Sequence, residues 1–191
     1  MFIDYLTLML LNMAAGLAIL ACYVYWGFDD QDQGRWAPAL GIVGFVALMN
    51  GFRTSWIWPL PGAYNVAFGD MSVLLGALFV GAAIALWRGW NLIPLGIYAL
   101  VAGLASILTG VRFIGLQLSA APGLTAAGFI LTGLGGVFAL PTLLLWRTNR
   151  SVRFIGAAVL VAAAVIWAFT GYMGYWMHLQ FFAGWKPVGM K

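Results

Sequence analysis

The residues best suited to chemistry lie in the run MNGFRTSWIWPLPGAYNVAFGD, from Met49 to Asp70. Arg53 could attract a small anion or orient a polar neutral molecule, and Asp70 is its natural partner. Asn50, Tyr64 and Asn65 add hydrogen-bonding groups, while Trp56, Trp58, Tyr64 and Phe68 are bulky enough to narrow a path. Part of the pattern recurs. Arg112 follows Thr109-Gly110 as Arg53 follows Asn50-Gly51, and Thr170-Gly171 stands in the corresponding place with Met173 instead of an arginine. This set suits recognition and passage of a small polar or anionic solute better than the making or breaking of bonds.

The remaining chemistry-bearing residues are few. His178 is the only histidine; it could respond to pH or hold one face of a haem, with a methionine as second ligand, but one histidine cannot supply a bis-histidine site. Its plainer role is that of an interfacial residue at a helix end. The single cysteine, Cys22, rules out an intrachain disulfide and a cysteine-based metal cluster. There is no Ser, His and acid set and no phosphate-binding loop. The Gly133, Gly135 and Gly136 run lies within an apolar segment with no preceding strand, where close helix packing explains it. No catalytic or metal-ligating residue is therefore assigned, and an enzyme is the less favoured reading.

These residues must be positioned by elements inside a bilayer. The chain of 191 residues is 64% hydrophobic and 7% charged, against roughly a quarter charged in a soluble domain. Glutamate is missing, and the acids are Asp4, Asp29, Asp30, Asp32 and Asp70. The net charge of +4 comes from basic residues scattered singly between apolar runs, which makes no patch for nucleic acid. The N-terminal MFIDYLTLML has Asp4 where a secretory signal has basic residues, so the first apolar run is expected to stay as a membrane helix. A crossing needs about 20 mainly apolar residues. Six segments satisfy this, at about 5–26, 38–57, 71–87, 92–113, 124–146 and 154–177.

A repeat underlies the hydrophobicity. Trp26, Trp87 and Trp146 end the odd-numbered segments at nearly equal intervals, the three polar-Gly pairs sit near the ends of the even ones, and Pro61-Gly62 is matched by Pro122-Gly123. The fold class expected is all-α: a polytopic membrane protein with six transmembrane helices in three pseudo-repeated hairpins, approximately 1–60, 61–121 and 122–191, forming one domain related about the membrane normal. Tryptophan at helix ends as a plain interfacial belt, and glycine as plain close packing, account for the same landmarks without a repeat.

Arg53 and Arg112 face a choice. An arginine at bilayer depth costs at least about 2.5 kcal/mol and normally turns inward to a partner, or it snorkels to the interface from a helix end. The first option leaves Arg35, Arg88, Arg147, Arg150 and Arg153 at one side against Lys186 and Lys191 at the other, which places both termini away from the cytoplasm. Between the second and third segments, Trp58-Pro59-Leu60-Pro61-Gly62 must break the helix, because proline lacks an amide donor and restricts the residue before it. Such a break either lines a cavity or forms an ordinary loop in which Asp70 caps the next helix.

The run TSWIWPLPGAYNVAFGD resembles the signature of an uncharacterised bacterial and archaeal membrane family catalogued as domain of unknown function nine-eight-one. That resemblance covers the whole chain and implies a membrane protein with no assigned activity. In architecture the chain is similar to the urea and amide channels and the small acetate transporters. This implies a hexameric homo-oligomer with a pathway through each bundle, and Pro61-Gly62-Ala63 would then occupy the place of a pathway-lining motif. The leading expectation is a small-solute channel or secondary transporter of the cell membrane with no cofactor, whose pathway is marked by Arg53, Asp70, Asn50, Tyr64, Asn65, Trp56, Trp58, Arg112, Thr109 and Thr170. The alternatives are a membrane subunit of a larger complex, associated with a quinone or haem, and a structural membrane protein in which Arg53 and Asp70 form an internal clamp.

Overall fold

A computed structural model describes residues 5–186. They form six long helices: α1 (Tyr5–Tyr25), α2 (Ala37–Ile57), α3 (Met71–Arg88), α4 (Ile93–Leu116), α5 (Pro122–Pro141) and α6 (Arg150–Phe182). All six are long and apolar enough to cross a membrane, as the helices of a multi-pass membrane protein are, and no strand occurs among the described residues. The expectation about Asp4 lies outside the described residues.

Helix ends follow from local chemistry. Prolines occupy the first turns of α2, α4 and α5, where a missing amide donor costs nothing. α2 stops at Trp58, whose left-handed backbone (φ 52°) turns its N–H onto the Thr54 carbonyl, and α4 stops in the same way at Gln117 (φ 51°). The chain then resumes sooner than expected. Residues Asn65–Asp70 form a wide π-helical turn that runs directly into α3, so Asp70 lies inside a continuous helix instead of capping its start. A second wide turn, Thr142–Trp146, follows Pro141, which has no amide to donate within α5.

The buried faces are made of small residues. On α4 they are Gly96, Ala99, Gly103, Ser106, Gly110 and Phe113, alternating steps of three and four. On α2 the stripe is Leu40, Val43, Gly44, Ala47, Gly51 and Thr54. Lipid tails are as apolar as leucine, so helices associate in a bilayer through close packing, which small residues allow. A Cβ placed on Gly103 would lie 2.5 Å from the Gly133 carbonyl oxygen, and one on Gly133 would lie 2.6 Å from that of Gly103. Gly44 and Gly76 stand in the same relation across α2 and α3: a Cβ on either would reach 2.6 or 2.7 Å from the backbone nitrogen of Val80 or Leu48.

These stripes pair the helices one step out of phase with the expected hairpins. The most extensive packing joins α4 with α5, α1 with α6, and α2 with α3, whereas α3 and α4 touch only lightly. The tryptophans that suggested the hairpins stand at helix ends and make no choice of partner. The glycines decide which helix comes close.

Candidate functional site

The structure disperses the residues singled out between Met49 and Asp70. Arg53, Trp56 and Trp58 are exposed on the outside of the bundle, and Arg112 is exposed on α4. Asp70 accepts from the Ser55 hydroxyl at 2.6 Å, and the salt bridges among the described residues are Arg35–Asp30 and Arg153–Asp29. Asn65 is fully buried, and its side chain is committed to the broken segment: it accepts from Leu60 N–H at 2.9 Å and donates to the carbonyls of Leu60 (2.5 Å) and Gly62 (2.9 Å). Asn50, Thr109 and Thr170 each donate to the carbonyl four residues back, Val46, Ala105 and Ile166, all at 2.9 Å. They satisfy their own helices. His178 lies 3.3 Å from the Thr7 hydroxyl with its ring beside Phe182.

Tyr64 does face inward. It stacks on Phe68 at 6.0 Å, and Phe68 joins Phe113, Phe129 and Trp167 in a buried aromatic cluster with ring centres 5.0–6.4 Å apart. The Trp167 indole donates to Thr132 Oγ1 at 3.0 Å, so even its polar atom is satisfied. These rings fill the bundle on the side that carries the Met49–Asp70 segment.

Beyond Phe129, toward the opposite end, a cavity of about 410 Å³ opens between α1, α3, α4, α5 and α6. Its volume falls in the range of ligand pockets, roughly 300–1,000 Å³. The wall is aliphatic and aromatic, with Leu17, Leu75, Leu95, Phe138 and Val159 as representatives of each helix. Every hydroxyl that lines it is already engaged. Ser106 donates to the Phe129 carbonyl (2.7 Å), Thr132 to Gly128 (2.8 Å), Thr142 to Phe138 (2.7 Å) and Tyr23 to Gln33 Oε1 (2.9 Å). A cavity whose polar groups are satisfied offers a water molecule no partners and favours an apolar occupant.

The outer end of this cavity adjoins a polar cleft of about 960 Å³, and Leu86, Leu92 and Leu143 line both. Gln33, Arg35, Arg88, Asn91 and Arg147 face the cleft. Arg88 sits 5.0 Å over the Trp87 ring and Arg147 sits 5.5 Å over Phe28, which also lines the apolar cavity. Thus a basic, polar cleft abuts an apolar interior.

Beside the cleft lies a feature that the sequence reading counted only as one charge among five. Arg153, in the first turn of α6, is 2% exposed. Its guanidinium donates to both oxygens of Asp29 (2.7 and 2.5 Å), to the Tyr25 carbonyl at the end of α1 (2.6 Å) and to the Arg147 carbonyl (3.4 Å). Hydrogen bonding from Arg153 holds the Asp29 carboxyl below the usual carboxylate range. Nothing in the spacing distinguishes Arg153 from Arg147 or Arg150. What does is the convergence of three chain segments, which exists only in the folded protein.

Among the described residues no three His, Cys, Asp or Glu side chains gather in a way that could hold a metal ion. No curated protein and no solved structure matches the chain. A family model described as "Protein of unknown function (DUF981)" matches residues 1–181, and with nearly its whole length covered the chain belongs to that uncharacterised family.

Proposed function

We propose that this chain is a membrane-embedded binding protein for a molecule with a long apolar part, taken from the bilayer and held in the 410 Å³ cavity. The observation that carries the reading is the cavity wall: it is apolar on every helix, and each of its hydroxyls is already bonded. A quinone tail belongs to this class of occupant, so the redox-subunit alternative would use this cavity and not the Arg53 and Asp70 region. With Arg53 and Arg112 counted at membrane depth, Arg35, Arg88, Arg147, Arg150 and Arg153 outnumber Lys186 and Lys191, and on that count we place their end on the cytoplasmic side, with both termini opposite.

The test is direct. Purified protein, stripped of lipid and reconstituted, should bind a long-chain fluorescent probe, and Leu78→Trp or Val159→Trp, which fill the cavity, should abolish binding while leaving the helical spectrum intact. Unchanged binding in both variants would defeat the reading.

A small-solute pathway has a narrower basis. Arg53 and Arg112 are exposed on the outer face, so they would line a route only between copies of the chain in a homo-oligomer. The observation favouring that second reading is the exposure of Arg112 on α4, since an arginine at a lipid-facing position carries a cost that a neighbouring copy would relieve. Native mass spectrometry of the intact protein distinguishes a single chain from a ring, and flux of small anions into vesicles tests the route.

We also read α2–α3 and α4–α5 as two copies of one unit. The contact glycines Gly44 and Gly51, and the left-handed stop at Trp58, recur at the same interval as Gly103, Gly110 and Gln117.

A further inference from the structure

We infer that the occupant of the apolar cavity is an anionic amphiphile, whose carboxylate or phosphate headgroup seats in the cleft between Arg88 and Arg147 while its chain lies inside. This rests on the cavity reading above and adds the identity of the head.

Three observations converge. First, the two spaces adjoin: Leu86, Leu92 and Leu143 line both the polar cleft and the apolar cavity, so these three side chains are all that a molecule reaching from one into the other has to pass. Second, the charge of the cleft is unbalanced. Arg35 is paired with Asp30 at 3.1 Å, and Asp32, which accepts from the Gly34 N–H at 3.0 Å, leaves one negative charge in the cleft against the two positive charges of Arg88 and Arg147. Arg88 and Arg147 make no salt bridge among the described residues; each lies over an aromatic ring instead. A guanidinium resting on a ring keeps its N–H fork available for a planar anion, which it can bind by two parallel hydrogen bonds. Third, the position is right for a molecule of the bilayer. The cleft is built from the chain between α1 and α2 and the chain between α3 and α4, at one end of the bundle, and basic pockets at that level suit anionic lipid headgroups.

A free anion would use the cleft and leave the apolar space empty. A neutral amphiphile would use the apolar space and leave two arginines facing solvent. An anionic amphiphile uses both. Arg153 plays no part in this recognition, because its guanidinium is buried and held by Asp29 and two carbonyls.

The experiment uses the full chain in nanodiscs of a zwitterionic lipid and compares dodecyl phosphate, dodecanol and inorganic phosphate as probes. Dodecyl phosphate should bind about tenfold more tightly than dodecanol, the step expected of a charge-assisted contact at an accessible site. Inorganic phosphate should fail to compete with it at comparable concentration. In Arg88→Gln combined with Arg147→Gln, the preference for dodecyl phosphate should vanish and dodecanol binding should stay as it was. If that double variant does not fold, salt dependence in the unaltered protein takes its place: added salt should weaken dodecyl phosphate and leave dodecanol unaffected. Equal affinity for the two amphiphiles overturns the headgroup assignment and leaves the cavity reading standing. Failure of both amphiphiles to bind overturns the two together. Full competition by inorganic phosphate shows a site for soluble anions and also overturns the inference.

Discussion

The two ends of the bundle treat their arginines in opposite ways. Arg153 begins a helix, where the dipole disfavours a cation, and it is 2% exposed, so both position and burial count against it. It is held there because the Asp29 carboxylate and the Tyr25 and Arg147 carbonyls converge on it, tying the end of α1 to the start of α6. Arg53, near the end of α2, is exposed on the outer face. One arginine is a clasp between chain segments and the other meets the surroundings of the bundle. The clasp is made by acceptors brought together in three dimensions, and it teaches that an arginine at a membrane-helix end has no fixed role until its neighbours are known.

The largest test of this contrast is Arg153→Ala. Removing the guanidinium unties α1 from α6 and leaves the Tyr25 carbonyl without its charged donor, while Asp29, which is largely exposed, returns to water; loss of that charge-assisted bond is expected to cost about 2 kcal/mol, with the packing of the buried side chain lost besides. Thermal unfolding in detergent, followed by circular dichroism, should show a marked fall in melting temperature. A change no larger than that of an exposed arginine would remove the clasp.

The Met49–Asp70 end has its own fixed point, which is neutral. Asn65→Ala deletes three hydrogen bonds that fasten the segment around Leu60 and Gly62, and a cost of about 2 kcal/mol follows from the unsatisfied groups left behind. Faster proteolysis within residues 58–64 should accompany it. If cleavage there is unaltered, Asn65 does not hold the break in place.

Acid probes the clasp from its other partner. The folded-state pKa of Asp29 is depressed, so the stabilisation it contributes is present above the unfolded carboxylate value of about 4 and is lost as pH falls through the lower folded value. The melting temperature of the unaltered protein should therefore drop more steeply below pH 4 than that of Asp29→Asn. Parallel curves would show that the charge on Asp29 is not what Arg153 uses.

Much of the scaffold was legible in the sequence, because its cause is local. Runs such as Ile93–Leu116 declare a membrane helix by length and apolarity, and the steps from Gly96 through Gly103 to Gly110 spell out its buried face. Helix pairing was not legible from Trp26, Trp87 and Trp146, which mark helix ends and carry no information on partners. The wide turn at Asn65–Asp70 has the sequence of a loop, because what stabilises it lies elsewhere: Asn65 bonds the residues before it, and Gly69 lies against Thr54 and Ser55 on α2, so closely that a Cβ would meet the Ser55 hydroxyl oxygen at 2.8 Å. The same holds for the site. Arg53, Asn50, Thr109 and Thr170 drew attention as polar residues in apolar surroundings, yet Asn50, Thr109 and Thr170 bond their own helices. The cavity could not be read at all, since it is the space left where α3 and α4 pack lightly, and no single residue encodes it.

The smallest expected effect completes the contrast. Arg53→Gln keeps a long polar side chain and removes the charge, and for an exposed ion pair or interfacial arginine the change in stability should stay within about 0.5 kcal/mol. The comparison is informative because Arg53 was the residue that the sequence marked most strongly and Arg153 the one it marked least. If Arg53→Gln lowers the melting temperature as far as Arg153→Ala does, then the outer face of α2 is not a free surface. If that difference also depends on protein concentration, a neighbouring copy of the chain is the group supporting Arg53. An effect that is large and independent of concentration would instead mean that the α2 end is clasped within one chain as firmly as the α6 end, and the contrast between the two ends would be gone.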